Sequence, residues 1–178
     1  MRIPLFAGLA GLLCAGVPFA DLDAASAAVA PADLPALVAG SEWIADVQVL
    51  EIQPARLPDG RIETRYTVAT LAPLKGAISA IAEFRMPGGE VAGRGLLLPG
   101  LPRLRAGQRA LLFLTAPSGA RAWRMPVGLG AGAFEVFADS AAGAAQVVGM
   151  GSHADAAPQD HDAFVAAILA EVARQAPR

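Results

Sequence analysis

The densest group of side chains able to bind a metal or transfer protons lies near the end of the chain. It consists of His153, Asp155, Asp160, His161 and Asp162. Imidazole and carboxylate groups are zinc ligands, and they also supply the general bases of hydrolases. Their spacing matches no standard metal site, however, and a solvated linker followed by a helix cap accounts for the same residues. We therefore take a binding protein as the leading function. The alternative is a small envelope hydrolase or metal-dependent enzyme that uses the His153–Asp162 region.

The remaining motifs predict no catalytic residue, no metal site and no cofactor. Gly128, Gly130 and Gly132 have phosphate-loop spacing, but a predicted strand follows them where a dinucleotide site needs a helix. The sequence has no Gly-x-Ser-x-Gly motif. A solvated strand face explains three acidic residues of one predicted strand: Glu42, Asp46 and Glu51. We therefore expect a protein that is not an enzyme.

A leucine-rich loop between Gly88 and Leu104 is the strongest candidate for a binding surface. An exposed apolar patch of this kind marks a docking site, and flanking arginines, Arg105 among them, would form its polar rim. The predicted binding residues are Arg94, Leu96, Leu97, Leu98, Leu101 and Arg103. The alternative is a loop that folds over one mouth of a barrel as part of the core.

The N-terminus has the residue order of a cleaved signal peptide over residues 1–27. Arg2 precedes an apolar run from Ile3 to Phe19, and Ala25-Ser26-Ala27 supplies small residues for cleavage. We therefore expect a periplasmic or secreted protein that meets the membrane only transiently, through this peptide. The single cysteine, Cys14, lies in the apolar run, so the mature chain would contain no disulfide.

The mature sequence predicts a single domain that is mainly β. A tether at 28–32 precedes a domain at 33–138, a flexible linker at 139–159 and an amphipathic helix at 160–175, capped by Asp160 or Asp162. Apolar alternation and turn residues predict six strands: Glu42–Gln53, Arg61–Leu71, Ile78–Met86, Arg109–Thr115, Trp123–Val127 and Ala133–Ala138. The expected fold is a small antiparallel barrel of five to six strands, with a short N-terminal helix and the C-terminal helix.

A series of short motifs resembles a family of exported bacterial domains over about 100 residues. The series comprises Leu37-Val38, Tyr66-Thr67-Val68, Leu74-Lys75-Gly76, Pro87-Gly88-Gly89, Pro99-Gly100-Leu101-Pro102, Gly107-Gln108, Leu112-Phe113-Leu114 and Val127-Gly128 through Gly132-x-Phe134. More distantly, it is similar to the netrin and tissue-inhibitor-of-metalloproteinase domain. That resemblance implies an oligonucleotide/oligosaccharide-binding (OB) type of barrel. It does not imply protease inhibition, because those inhibitors use an N-terminal cysteine that this mature chain lacks.

The leading functional prediction is an exported, non-enzymatic domain that binds a protein or peptide partner. The formal net charge of −2 provides no basic field for nucleic acid. A glycan site would need exposed aromatic rings, and Trp43, Tyr66 and Trp123 are the only Trp and Tyr residues of the chain.

Overall fold

A seven-stranded antiparallel sheet forms the body of the protein, in the order β3-β2-β1-β6-β7-β8-β9. The computed structural model describes residues 34–138, 143–150 and 156–177, so the predicted signal peptide and tether lie outside the described residues. The strands are β1 (Trp43–Arg56), β2 (Ile62–Lys75), β3 (Ile81–Pro87), β6 (Arg109–Leu114), β7 (Ala133–Ala138), β8 (Ala145–Gly149) and β9 (Gln159–Asp160). A separate hairpin contains β4 (Gly89–Val91) and β5 (Arg94–Leu96). The prediction of a mainly β protein is confirmed.

The long hairpin of β1 and β2 organises the sheet. Its turn contains Gly60 at φ +85° and is closed by a hydrogen bond of 2.7 Å from the Leu57 N–H to the Arg61 carbonyl. Register shifts interrupt the pairing at three places along β1. Such bulges increase the local twist, which lets two 14-residue strands curl around a core.

The sheet carries a separate apolar core on each of its faces. One core includes Val49, Val68, Phe84, Leu104 and Leu112, from β1, β2, β3, the Leu-rich loop and β6. The other joins the sheet to both helices, through residues such as Val38, Phe113 and Phe164. Because β6 is central and contributes to both cores, its run from Ala110 to Leu114 is buried without alternation.

The predicted barrel is not closed, because the sheet is open and has β3 and β9 as its two edges. The segment Trp123–Val127, predicted as a strand, makes only isolated bridges at Trp123 and Pro126. Pro126 has no N–H to donate, so it cannot extend a ladder. A single hydrogen bond of 3.0 Å, from the Arg124 N–H to the Arg85 carbonyl, connects this segment to β3.

Two helices pack against the second core: α1 (Leu34–Gly40) and α2 (His161–Gln175). Asp160 is the N-cap of α2 and accepts a hydrogen bond of 2.8 Å from the Ala163 N–H. Neither helix is long and apolar enough to cross a membrane. The stretch 139–159, predicted as a flexible linker in which 146–148 could form a short strand, contributes β8 and the first residue of β9 to the sheet, while 139–142 and 151–155 lie outside the described residues.

Candidate functional site

An apolar groove of about 260 Å³ lies beneath the Leu-rich loop, and we call it the leucine groove. Strands β1, β2 and β3 form its floor, with Ile52, Pro54, Thr64, Tyr66 and Met86. Its other wall comes from the chain between Pro87 and Leu104 and includes Leu96, Leu97, Leu98, Leu101 and Arg103. Five of the six predicted binding residues therefore line one recess.

Two hydrogen bonds of the Gly88 backbone hold this wall against β2. The Gly88 N–H donates to the Ile62 carbonyl at 2.7 Å, and the Thr64 hydroxyl donates to the Gly88 carbonyl at 2.7 Å. Gly89 has φ +124°, and a Cβ there would overlap the Thr64 hydroxyl oxygen. A glycine at 89 therefore lets the chain turn close to β2 and enter β4.

The Leu-rich loop divides into a buried and an exposed part. Leu104 is only 5% exposed and belongs to the first core, and Leu101 packs against that core. Leu97 is 61% exposed and Leu96 is 37% exposed. The loop thus contributes to the core at its C-terminal end and presents leucine side chains to solvent at the groove.

The polar groups of the groove are few and are placed at its floor and rim. Arg103 and Glu90 are exposed and line the groove, whereas Arg94 lies in a neighbouring cleft. Burial raises the pKa of Tyr66, although a hydrogen bond with Thr64 and the charge of Arg103 act in the opposite direction. Tyr66 is therefore a neutral phenol near neutral pH, and Arg103 supplies the positive charge beside it.

His161 holds α2 against the sheet. Its Nε2 lies 2.9 Å from Oδ2 of Asp46, and its Nδ1 lies 2.8 Å from Oδ1 of Asp162. Arg109 binds the same Asp46 carboxylate through Nε at 3.0 Å and Nη2 at 2.6 Å. Since both ring nitrogens face carboxylates, His161 has a structural role in this geometry.

The structure describes only part of the His153–Asp162 region, and His161 within it is engaged by two carboxylates. His153 and Asp155 lie outside the described residues. Across 34–138, 143–150 and 156–177, no three His, Cys, Asp or Glu side chains are grouped to hold a metal. Asp46, predicted on a solvated face, is only 1% exposed. In the sequence, Asp46 lies between two apolar residues, Ala45 and Val47. A buried carboxylate in such surroundings needs a compensating partner from elsewhere in the chain.

The indole rings predicted as the only glycan-binding candidates stack with arginines. The Arg124 guanidinium lies 3.9 Å from the Trp43 ring centroid, and that of Arg61 lies 5.3 Å from the Trp123 ring centroid. Tyr66 is buried and stacks on Phe84 with a centroid separation of 5.2 Å. All three rings are therefore engaged within the fold.

Comparisons of the chain with protein-family models, with curated proteins and with solved structures find no match. The leucine groove and its surroundings therefore provide the basis for a functional proposal.

Proposed function

We propose that the protein is an exported, non-enzymatic domain that binds an extended, apolar segment of a peptide or protein partner in the leucine groove. The observation that carries the proposal is the pair of exposed leucines, Leu96 and Leu97, beside a recess whose floor is apolar. Covering such side chains removes apolar surface from water, at roughly 25 cal/mol per Å². The fully buried centre of a protein interface is also more apolar than its rim.

The size of the groove favours a peptide segment over a small-molecule ligand. Sites that enclose small molecules usually measure about 300–1,000 Å³, and this groove measures about 260 Å³ and is open to solvent. It has room for one or two apolar side chains of a longer segment. The groove lining carries one exposed charge of each sign, Arg103 and Glu90, so apolar contact rather than net charge would select the partner at the groove itself.

Export and an OB-type fold are further parts of the proposal. Export is supported by the charge, apolar run and small residues within 1–27. The OB-type assignment is supported by the long, bulged β1–β2 hairpin, whose two strands contribute to the first core.

The test is selection of peptides of about 12 residues from a random phage library on the mature protein, Ala28–Arg178. We expect apolar peptides, and we expect Leu97→Asp to weaken their binding at least about tenfold, because it places a carboxylate at the groove. The matched control is Leu169→Asp on α2, since Leu169 is 46% exposed and far from the groove in the fold. Affinities are measured by fluorescence anisotropy after circular dichroism confirms folding. Recovery of no peptide, or an equal loss in both variants, would overturn the proposal.

A further inference from the structure

A second recess lies on the far side of the β4–β5 hairpin, and we call it the arginine cleft. The end of β1 and the β1–β2 turn form one wall, and the hairpin forms the other. Its volume is about 520 Å³. Leu96 lines both the arginine cleft and the leucine groove, so the two recesses adjoin at this residue.

The charged lining of the arginine cleft is Arg56, Asp59, Arg61 and Arg94. Arg61 and Asp59 form an ion pair of 2.6 Å, which neutralises the single carboxylate. Among the described residues, Arg56 and Arg94 have no carboxylate within 4.0 Å. The cleft therefore has two exposed guanidinium groups with uncompensated charge beside an apolar site.

Guanidinium groups favour carboxylates because their planar N–H donors match the two oxygens in a bidentate arrangement. Two such groups across a cleft suit a run of acidic side chains better than a single small anion. Because Leu96 joins the two recesses, one extended segment would place apolar side chains in the groove and acidic side chains in the cleft.

We infer that the partner segment carries a run of Asp or Glu next to its apolar residues, and that Arg56 and Arg94 in the arginine cleft bind these carboxylates. This inference rests on the proposed function and specifies the chemistry of the partner. Arg103 at the groove and Arg94 in the cleft would then contact the same segment on the two sides of the β4–β5 hairpin.

The experiment uses the tightest-binding peptide from the phage selection, extended at either end with four Asp or with four Asn. We expect an Asp-extended peptide to bind the mature protein at least about tenfold more tightly at low salt. This advantage should shrink as sodium chloride is added, since salt screens exposed charges. The double variant Arg56→Gln/Arg94→Gln should abolish it, so that the Asp-extended and Asn-extended peptides bind this variant with equal affinity. The control is Arg174→Gln on α2, which removes a charge at a distance from the cleft.

The possible results separate the two proposals. Equal affinity of the Asp-extended and Asn-extended peptides for the parent protein would overturn the acidic-segment inference and leave the groove proposal standing. An Asp advantage that persists in the double variant, or that falls equally in the Arg174→Gln control, would also overturn it. Absence of binding by every peptide would overturn the proposed function itself.

Discussion

Two buried carboxylates, Asp46 and Glu63, show how single residues connect distant parts of this chain. Each accepts hydrogen bonds from an arginine and from one aromatic side chain. Asp46 binds Arg109 and His161, and Glu63 binds Arg121 and Trp123. Charged groups are buried only when such partners compensate the loss of water. The first cluster positions α2, and the second holds the segment after β6 over the edge of the sheet.

Replacing Glu63 with Gln should reveal one source of acid sensitivity. Hydrogen bonds from Arg121, and then from Trp123, lower the pKa of Glu63, whereas its burial opposes them. A glutamate whose pKa is lowered by folding stabilises the fold at pH values above its unfolded-state pKa of about 4.3. This contribution is lost as the pH falls through the folded-state pKa. We expect Glu63→Gln to lower the free energy of unfolding by about 1.5 kcal/mol at pH 7.

Urea unfolding between pH 7 and pH 2 measures this difference, which should disappear at the acid end. The control is Glu83→Gln on β3, because Glu83 is exposed and lies 3.8 Å from Arg65. Surface pairs of this kind contribute little, so its stability should stay within about 0.5 kcal/mol of the parent. A Glu63→Gln difference that stays constant down to pH 2 would contradict the assignment of the effect to the charge.

At the scale of elements, local patterns predicted strands wherever alternation or a continuous apolar run marks burial. The alternation of Ile62, Thr64, Tyr66 and Val68 predicted β2, and the apolar run after Arg109 predicted β6. Trp123–Val127 has similar composition but forms no strand, because it meets the end of β6 only in an isolated bridge at Pro126, which has no N–H to extend a ladder. Pairing between distant segments is a property of the whole sheet that a short window of sequence does not contain.

The sequence predicted only part of the candidate site, for the same reason. The leucines of the loop are conspicuous in the sequence because an ordinary exposed loop is polar. The floor residues Ile52 and Tyr66 look like ordinary strand residues, and only the β1–β2 pairing places them beneath the loop. Arg56 and Arg94 likewise line one cleft only in the folded chain. No short stretch of sequence therefore predicts the arginine cleft.

At Gly132, the backbone of neighbouring segments comes too close to leave room for a side chain. It ends the 3-10 turn Leu129–Gly132 that leads into β7. A Cβ there would lie 2.7 Å from the Val127 nitrogen and 3.0 Å from the Phe113 carbonyl oxygen, both of which are backbone atoms. Because backbone in a packed core moves only at a cost, Gly132→Ala should destabilise the fold by about 2 kcal/mol.

Thermal and urea unfolding of Gly132→Ala would measure this loss. Gly95→Ala is the matched control, since Gly95 is exposed in β5 and its nearest neighbour, the Gly89 carbonyl oxygen, lies 3.8 Å from the added atom. We expect it to change stability by less than about 0.5 kcal/mol. Equal effects of the two substitutions would show that the close approach at Gly132 is not what restricts this position.

At the scale of the whole molecule, the proposed binding surface includes a hairpin that is not part of the main sheet. Strands β1 and β6 pair on both sides and are packed between two cores. The β4–β5 hairpin pairs only with itself, and its residues are mostly exposed. Regions with few buried contacts open locally at a small fraction of the global free energy. We therefore expect the hairpin between the leucine groove and the arginine cleft to open at a lower free energy than the sheet and to adjust to a partner.

Hydrogen exchange measured by mass spectrometry tests this division of stability. In the free protein, amides of β1 and β6 should exchange at least about tenfold more slowly than those of β4 and β5, because the inner strands exchange only through opening of the sheet. Binding of an Asp-extended peptide should slow exchange in Gly89–Leu96 and leave α2 unchanged, since α2 lies on the other face. A hairpin that exchanges as slowly as β1 before binding would contradict the proposed adjustment. Slower exchange confined to α2 would place the partner on the opposite face of the sheet and would contradict the proposed site.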